Sequence, residues 1–113
     1  MEQVRVIRHG DAAEIVMASP PVNAFSVEFL EGLCSAVDSV AGDIGARVLT
    51  TGLERVYAAG GDLKYMAAAD AARSGAYVTL VQETYSRMED PRFVSIAAID
   101  GACLAGGFEM ALA

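Results

Sequence analysis

The stretch Asp100-Gly101-Ala102-Cys103-Leu104-Ala105-Gly106-Gly107-Phe108-Glu109 decides how this chain folds. It follows the apolar run 94–99, which predicts a buried strand, and the residues after it suit a helix. A turn between a strand and a helix leaves the first helical N–H groups without partners inside the helix. Gly106 and Gly107 carry no side chain, so another molecule can approach that backbone closely. We therefore predict a turn that suits negative charge, with Glu109 in the first turn of the helix.

A second stretch, Val56-Tyr57-Ala58-Ala59-Gly60-Gly61-Asp62-Leu63-Lys64-Tyr65-Met66, repeats this design. It follows a strand predicted over 47–51, and Asp62 suits a helix N-cap because its carboxylate accepts from first-turn N–H groups. One Gly-Gly turn alone is equally typical of a tight connection beside a solvated glutamate. Two such loops in one small domain could converge and direct two N–H donors at a single oxygen, as an oxyanion hole requires.

The rest of the chain alternates short strands with helices. Apolar and polar residues alternate on both sides of Gly10-Asp11, which predicts a β-hairpin. Ser26 predicts an N-cap, and apolar residues between 29 and 40 recur at helical spacing. A further helix is predicted over 77–88 and is ended by Asp90-Pro91. Strands that alternate with helices after an initial hairpin predict an α/β fold.

Composition excludes several classes of partner. The 113 residues include eight basic and 15 acidic side chains, for a net charge of −7, whereas nucleic-acid binding needs clustered Lys and Arg. No apolar run is long enough to cross a membrane, and the first residues lack a signal-peptide core. We therefore predict no nucleic-acid or membrane partner and a cytoplasmic location. The hydrophobic fraction of 54% predicts apolar surface that further polypeptide or neighbouring subunits cover.

Other catalytic classes lack their motifs. Cys34 and Cys103 lie far apart, which predicts two buried thiols with no disulfide and no metal site. His9 is the only histidine; no acidic residue is spaced to make it a catalytic base, and a surface turn position is predicted instead. Neither Ser26 nor Ser95 occupies the strained elbow of a nucleophilic hydrolase. The glycine loops also lack the G-K-[ST] ending of a nucleotide-binding P-loop.

Both glycine-rich stretches resemble the signature loops of the enoyl-CoA hydratase/isomerase (crotonase) superfamily. Residues 57–66 are similar to F-[SA]-A-G-A-D-L-K-x-M, and residues 97–109 are similar to A-[AV]-[IV]-[ND]-G-x-[AC]-x-G-G-[GA]-x-E. Val22-Asn23-Ala24-Phe25-Ser26 resembles the N-A-[LF]-[ST] segment before the family's first helix. The three segments occur in the family's order and span nearly the whole chain. In two departures from the patterns, Gly61 replaces the commoner Ala and Ala105 replaces a Gly, but neither removes an N–H.

The resemblance implies a fold and an assembly. The fold would be the crotonase ββα spiral, an α/β architecture whose members usually form homotrimers or dimers of trimers. Because family members are typically more than twice this long, residues 1–113 are expected to be the N-terminal portion of one crotonase-like domain, truncated within a helix. An acyl-CoA thioester would be the substrate. Coenzyme A would belong to that substrate, and no separate cofactor or metal is expected.

The resemblance also implies a set of site residues. The backbone N–H groups of Gly61 and Gly106 would form the oxyanion hole. Glu109 would match the first of two hydratase glutamates, which activate a water for addition at the β-carbon and protonate the α-carbon. Substrate binding would involve Ala58, Ala59, Gly60, Gly61, Asp62, Leu63, Lys64 and Gly106. Asp62 suits a structural N-cap better than catalysis, and Lys64 suits either CoA phosphates or solvent.

The predicted activity is that of a 2-enoyl-CoA hydratase, which adds water across the C2=C3 bond while a backbone oxyanion hole stabilises the thioester enolate. One alternative is an enoyl-CoA isomerase, which relies on the downstream glutamate position for proton shuttling. Another is a non-catalytic segment that binds acyl-CoA or a partner subunit. Glu109 favours the hydratase, but no residue in the sequence matches the second glutamate.

Overall fold

A computed structural model describes residues 3–40, 45–90 and 92–113. Within these ranges the elements are β1 (Val4–His9), β2 (Ala12–Met17), β3 (Ala24–Phe25), α1 (Val27–Ser39), β4 (Ala46–Thr51), β5 (Val56–Ala58), β6 (Gly60–Gly61), α2 (Leu63–Ala68), α3 (Ala71–Met88), β7 (Val94–Ala97), β8 (Ala102–Cys103) and α4 (Gly106–Leu112). The described strands form a four-stranded sheet, ordered β1-β2-β4-β7, and two small sheets, β3-β6 and β5-β8. Strands and helices thus alternate along the chain, which confirms the predicted α/β class.

The four-stranded sheet is built on the hairpin that the sequence predicts. β1 and β2 run antiparallel, with Val4 opposite Met17 and His9 opposite Ala12. Gly10 has a φ of +60° in the connecting turn, a conformation that glycine adopts without the steric strain of other residues. β4 then pairs with β2, and β7 with β4, both in parallel. Parallel neighbours need a crossover, which α1 supplies before β4 and the α2–α3 segment supplies before β7.

The hydrophobic core contains the apolar face of α1. Ser26 is the N-cap of this helix, as predicted, and its hydroxyl accepts a 3.1 Å hydrogen bond from Phe29 N–H. Phe29, Leu30 and Leu33 are fully buried, and α1 contacts α3 and β1. The largest fully buried side chains of the described residues are Tyr57, Phe25, Phe29, Ile15, Met17, Leu30, Leu33, Asn23 and Thr84. Residues from the predicted loops thus lie in the core itself.

Helix α3 is longer than the sequence pattern predicts. It starts at Ala71, six residues before the predicted start, and ends at Met88 as expected. Asp70 provides the N-cap, since its carboxylate accepts a 2.8 Å hydrogen bond from Arg73 N–H. The alanine-rich start has high helix propensity, and the cap adds stability there. Asp90 follows the helix, whereas Pro91 lies outside the described residues.

Strand β7 is exposed, so the prediction of a buried strand over 94–99 is wrong in extent and in burial. The strand covers only Val94–Ala97 and lies at the edge of the four described strands. Val94 is 61% exposed and Ile96 is 47% exposed. A continuous apolar run predicts burial only if other elements cover both faces of the strand. From Val94 onward, six large apolar side chains are exposed among the described residues: Val94, Ile96, Ile99, Leu104, Phe108 and Leu112.

The structure also bears on the predictions from composition. Both cysteines are free thiols; Cys34 is buried as predicted, whereas Cys103 is only partly buried. Within the described ranges, no helix has the length and apolar character needed to cross a membrane. No cluster of three or more His, Cys, Asp or Glu side chains in those ranges could hold a metal ion.

Candidate active site

The two glycine-rich loops lie side by side because β5 pairs with β8. These strands run in parallel, with Ala58 opposite Cys103. Directly after the pair, Leu104 N–H donates a 3.0 Å hydrogen bond to the carbonyl of Ala58. The two glycine-rich loops, which follow these paired strands, therefore begin next to each other.

The two loops approach each other so closely that glycine is needed on both sides. Gly60 has a φ of +98°, and a Cβ at this position would lie only 2.7 Å from the nitrogen of Gly106. A Cβ on Gly107 would lie 2.3 Å from the carbonyl oxygen of Ala58. Real Cβ atoms essentially never approach other heavy atoms within 3.0 Å. The predicted convergence of the two loops is therefore observed.

Helix α4 begins at this contact and leaves one N–H available. Gly107 N–H donates to Leu104 O at 2.8 Å, and Glu109 N–H donates to Ala105 O at 3.0 Å. Gly106 N–H, by contrast, donates to no acceptor within residues 3–40, 45–90 and 92–113. The first N–H groups of a helix commonly take acceptors from outside it. Gly106 therefore presents a backbone donor at a helix start, as predicted.

Ala105, just before this helix, has a backbone conformation that favours glycine. Its φ is +45°, and no side chain caps the helix at this position. The similar family pattern has glycine here, and a side chain at positive φ carries strain of about 1–3 kcal/mol. The substitution thus retains the N–H groups while adding local strain to the turn.

Asp62 has the structural role that the sequence favours. Its carboxylate accepts a 3.2 Å hydrogen bond from Tyr65 N–H and so caps α2. Its own backbone N–H donates to the hydroxyl of Tyr77 at 3.1 Å. The neighbouring Gly61 lies in β6, opposite Phe25 of β3. The first loop is thus held from both sides at its Gly61–Asp62 end.

The remaining predicted binding residues divide into buried and exposed groups. Ala58 and Gly60 are buried in the contact between the loops. Ala59 N–H donates to Val22 O at 3.0 Å. Leu63, 77% exposed, and Lys64, also exposed, start α2 on the surface. Leu63 and Lys64 therefore offer exposed side chains to a ligand, whereas Ala58 and Gly60 do not.

Glu109 lies in the first turn of α4, as predicted, and its side chain is exposed. Its charge is close enough to Tyr85 to affect that phenol: burial, followed by the charge of Glu109, raises the pKa of Tyr85 to about 12. Glu109 thus lies about one helical turn from the free N–H of Gly106. The carboxylate and the backbone donor belong to one surface region.

Asn23 holds the start of the first loop through its buried side chain. Its Oδ1 accepts from Ser19 N–H at 2.7 Å, and its Nδ2 donates to Tyr57 O at 2.9 Å and to Thr51 Oγ1 at 3.2 Å. Asn23 has a φ of +51°, which asparagine tolerates better than most residues. The bond from Asn23 to Tyr57 joins residues 34 positions apart, so it ties the two segments together.

Sequence reasoning missed the roles of Tyr77 and Tyr85. Both lie in the helix that the sequence predicts over 77–88. In the structure the Tyr77 hydroxyl donates to the carbonyl of Phe25, and the Tyr85 hydroxyl donates to the carbonyl of Gly106 at 2.8 Å. No local motif marks such contacts, because they join residues 52 and 21 positions apart.

His9 is the last residue of β1 and not part of the turn, and its ring contacts an acidic residue of the neighbouring strand. Its Nε2 lies 2.9 Å from Glu14 Oε1, while Thr50 donates to Glu14 Oε2 at 2.8 Å. These hydrogen bonds lower the pKa of Glu14, with the Thr50 contact as the largest cause. The predicted surface position of His9 is confirmed.

The tyrosines near the site make stability sensitive to alkaline pH. Burial raises the pKa of Tyr57 and Tyr77 and contributes most to the value of about 12 at Tyr85. Unfolded phenols ionise near pH 10, so the stabilisation is complete below that pH and is lost as pH rises through the folded pKa values. We expect the free energy of unfolding to fall above about pH 10, by at most about 1.4 kcal/mol per pH unit for each tyrosine.

Urea denaturation at several pH values below and above 10 measures how steeply the free energy of unfolding falls with pH. Tyr85→Phe should make this decrease less steep, since the variant removes one of the phenols whose pKa is raised in the folded protein. An unfolding free energy that stays constant between about pH 10 and 12 would contradict the prediction.

Together, the α/β fold and the paired glycine loops define a class of protein, the crotonase-type domain. In this domain a free backbone N–H lies at the start of a helix, and an acidic residue lies in the first turn. The chain belongs to the enoyl-CoA hydratase/isomerase family, whose model matches residues 8–113. This membership confirms the resemblance that the three sequence segments indicate.

The similarity extends to curated relatives and to solved structures. The chain is 36% identical to the human mitochondrial enoyl-CoA delta isomerase 1 over 114 residues, which cover 96% of this chain and 38% of that protein. It is 34% identical over 103 residues to a probable enoyl-CoA hydratase of Bacillus subtilis, covering 89% of the chain and 40% of the relative. The solved structure of Pseudomonas aeruginosa DspI aligns with a TM-score of 0.91 and 34% identity, over 99% of the chain and 47% of that structure. The chain thus spans less than half the length of each.

Proposed function

We propose that this protein is an acyl-CoA enzyme, specifically a 2-enoyl-CoA hydratase that adds water across the C2=C3 bond. One observation carries the proposal. Gly106 is the first residue of α4, its N–H is free, and it contacts the Gly60-Gly61 loop. Glu109 lies one turn further along the same helix. A thioester carbonyl bound between the loops would have a backbone donor and a carboxylate on the same side. Family membership supports the substrate class.

The oxyanion hole would consist of the N–H groups of Gly61 and Gly106. Negative charge develops on the thioester oxygen when the α,β double bond accepts a nucleophile. Backbone donors that are fixed in advance stabilise this charge without reorganising, and removal of one donor typically costs about 3–4 kcal/mol in the barrier. The start of α4 adds the positive end of its peptide dipoles.

Glu109 would act as one of two acid–base groups. In the ionised form it would take a proton from water as the oxygen attacks the β-carbon, and the α-carbon would then receive a proton. Hydratase chemistry in this family uses a second carboxylate, and we assign no residue among 1–113 to that role. The proposal therefore requires this group from further polypeptide.

An isomerase is the main alternative, because the human relative bears that name. The same oxyanion hole would stabilise an enolate formed by removal of a proton rather than by addition of water. A non-catalytic segment that binds acyl-CoA or a partner subunit would keep the loops but show no turnover. Hydration is preferred because Glu109 stands at the position of the first hydratase glutamate.

The assembly, the ligand contacts and the location follow from the same proposal. A homotrimer or a dimer of trimers is proposed, and subunit contacts or further polypeptide would cover the exposed apolar side chains from Val94 onward. Lys64 is exposed and could meet a CoA phosphate. Coenzyme A would enter as part of the substrate, with no separate cofactor. A cytoplasmic location stays a prediction.

A direct assay tests the proposal. The intact protein is mixed with a 2-enoyl-CoA, and loss of the conjugated double bond is followed by near-ultraviolet absorbance. We expect formation of 3-hydroxyacyl-CoA. If a 3-enoyl-CoA is instead converted to the 2-enoyl isomer and no hydration occurs, the isomerase is correct. Tight binding of both esters without either product would establish the non-catalytic alternative.

A further inference from the structure

Two tyrosines on α3 each contact one of the glycine-rich loops. Tyr77 and Tyr85 are eight residues apart, which places them about 12 Å apart along the helix axis and about 80° apart around it. The hydroxyl of Tyr77 accepts from Asp62 N–H at 3.1 Å, at the end of the first loop. The hydroxyl of Tyr85 donates to Gly106 O at 2.8 Å, in the second loop. A single helix thus spans both loops.

The contact between Tyr85 and Gly106 is closely packed. A Cβ on Gly106 would lie 3.2 Å from the Tyr85 hydroxyl oxygen and 3.2 Å from Cε2 of Phe25. The rings of Phe25 and Tyr85 pack edge to face, with centroids 6.4 Å apart. A tyrosine phenol is protonated at neutral pH, so the Tyr85 hydroxyl is available there as the donor to Gly106 O. Gly106 is therefore fixed by a hydrogen bond on its carbonyl and by two rings.

Tyr77 holds the other loop in a similar way. Its hydroxyl donates to Phe25 O while it accepts from Asp62 N–H, so both hydrogen-bonding functions of the group are used. The side chain is buried. Phe25 links the two tyrosines, since its carbonyl contacts Tyr77 and its ring contacts Tyr85.

We infer that Tyr77 and Tyr85 are positioning residues, which set the relative orientation of the two loops and thereby aim the backbone donors of the oxyanion hole. This inference rests on the proposed function. Glycine has no side chain with which to fix its own backbone, and its peptide groups rotate readily. An oxyanion hole depends on donors that are fixed before charge develops. Hydroxyl groups on the adjacent helix supply that constraint from outside the loops.

Tyr85→Phe is the decisive variant because it deletes one hydroxyl and keeps the ring. Loss of one such hydrogen bond should lower kcat about tenfold, with KM for the enoyl-CoA unchanged because ground-state contacts remain. Tyr65→Phe is the matched control. Tyr65 also packs in this region, with its ring centroid 5.2 Å from that of Tyr77, but its hydroxyl bonds to no residue of the described ranges. The control should retain the wild-type kcat and KM.

A spectroscopic measurement separates positioning from simple stabilisation. Acetoacetyl-CoA, a β-ketothioester whose enolate absorbs in the near ultraviolet, is bound to the intact protein and titrated with base. The oxyanion hole should lower the pKa of the bound ligand. Tyr85→Phe should raise that pKa by about one unit relative to wild type, the same tenfold effect, whereas Tyr65→Phe should not change it.

The outcomes distinguish this inference from the proposed function. If wild type lowers the ligand pKa and Tyr85→Phe lowers it equally, the positioning role is wrong and the oxyanion hole stands. If wild type leaves the ligand pKa at its solution value, the oxyanion hole fails and the positioning role fails with it. Tyr77→Phe provides a second variant: a folded protein with wild-type ligand pKa would exclude a role for Tyr77.

Discussion

Replacing Glu109 with Gln is expected to lower the rate of hydration at least a hundredfold, with little change in the affinity for CoA esters. The amide has nearly the same shape but cannot take a proton from water. Glu109 is exposed in the first turn of α4, and none of its side-chain atoms contributes to the core. The loss should therefore appear in kcat, measured with a saturating 2-enoyl-CoA, with only a small decrease in the melting temperature.

Glu28→Gln is the matched control for this experiment. Glu28 is also exposed and also lies in the first turn of a helix, α1. Both substitutions remove a similar favourable interaction with the helix dipole, about 0.3–1 kcal/mol, but only Glu109 lies near the free donor of Gly106. Near-normal turnover in Glu109→Gln, or an equal loss in Glu28→Gln, would remove Glu109 from the mechanism.

Gly60→Ala is expected to lower the free energy of unfolding by about 3 kcal/mol or more. The substitution combines strain at positive φ, about 1–3 kcal/mol, with overpacking, about 1–3 kcal/mol. Gly60 has a φ of +98°, and the new Cβ would lie 2.7 Å from the nitrogen of Gly106. That neighbour is backbone, so relief requires one loop to move away from the other. Denaturant unfolding measures the change.

Gly10→Ala separates these two effects. Gly10 also has a positive φ, +60°, but a Cβ there would have no heavy atom within 4 Å. We expect Gly10→Ala to lower the free energy of unfolding by about 1–2 kcal/mol, which is the cost of placing alanine at a positive φ. In a Gly60→Ala protein that remains folded, enolate binding should also weaken, because the donors separate. If the two variants are equally stable, the close contact between the loops is wrong.

Local interactions account for what the sequence predicts correctly. Ser26 and Asp62 each cap a helix through an N–H three residues ahead, and the turn at Gly10 needs only its own φ. Such interactions lie within one turn of chain, so residue type and spacing determine them. The order of strands and helices follows from these signals, and with it the α/β class.

Burial and the exact start of a helix depend on more than the local pattern. The alanine-rich segment after Met66 gives no apolar stripe, so the sequence places the start of α3 at 77, whereas the cap at Asp70 starts it at Ala71. The apolar residues of β7 predict burial, but Val94 stays exposed because no described element covers that face. Apolar side chains indicate that a strand is more stable when it is buried, but only the neighbouring elements determine whether the strand is covered.

The sequence by itself determined the α/β order, the helix caps at Ser26 and Asp62 and the two glycine-rich turns of this protein, with Glu109 at the start of its helix. Only the tertiary structure decided that Gly60 contacts Gly106 and that the tyrosines of α3 hold both loops. The physical reason is the range of the interactions. Caps and turns join residues within about four positions, whereas the bond from Tyr77 to Phe25 spans 52 positions and that from Tyr85 to Gly106 spans 21.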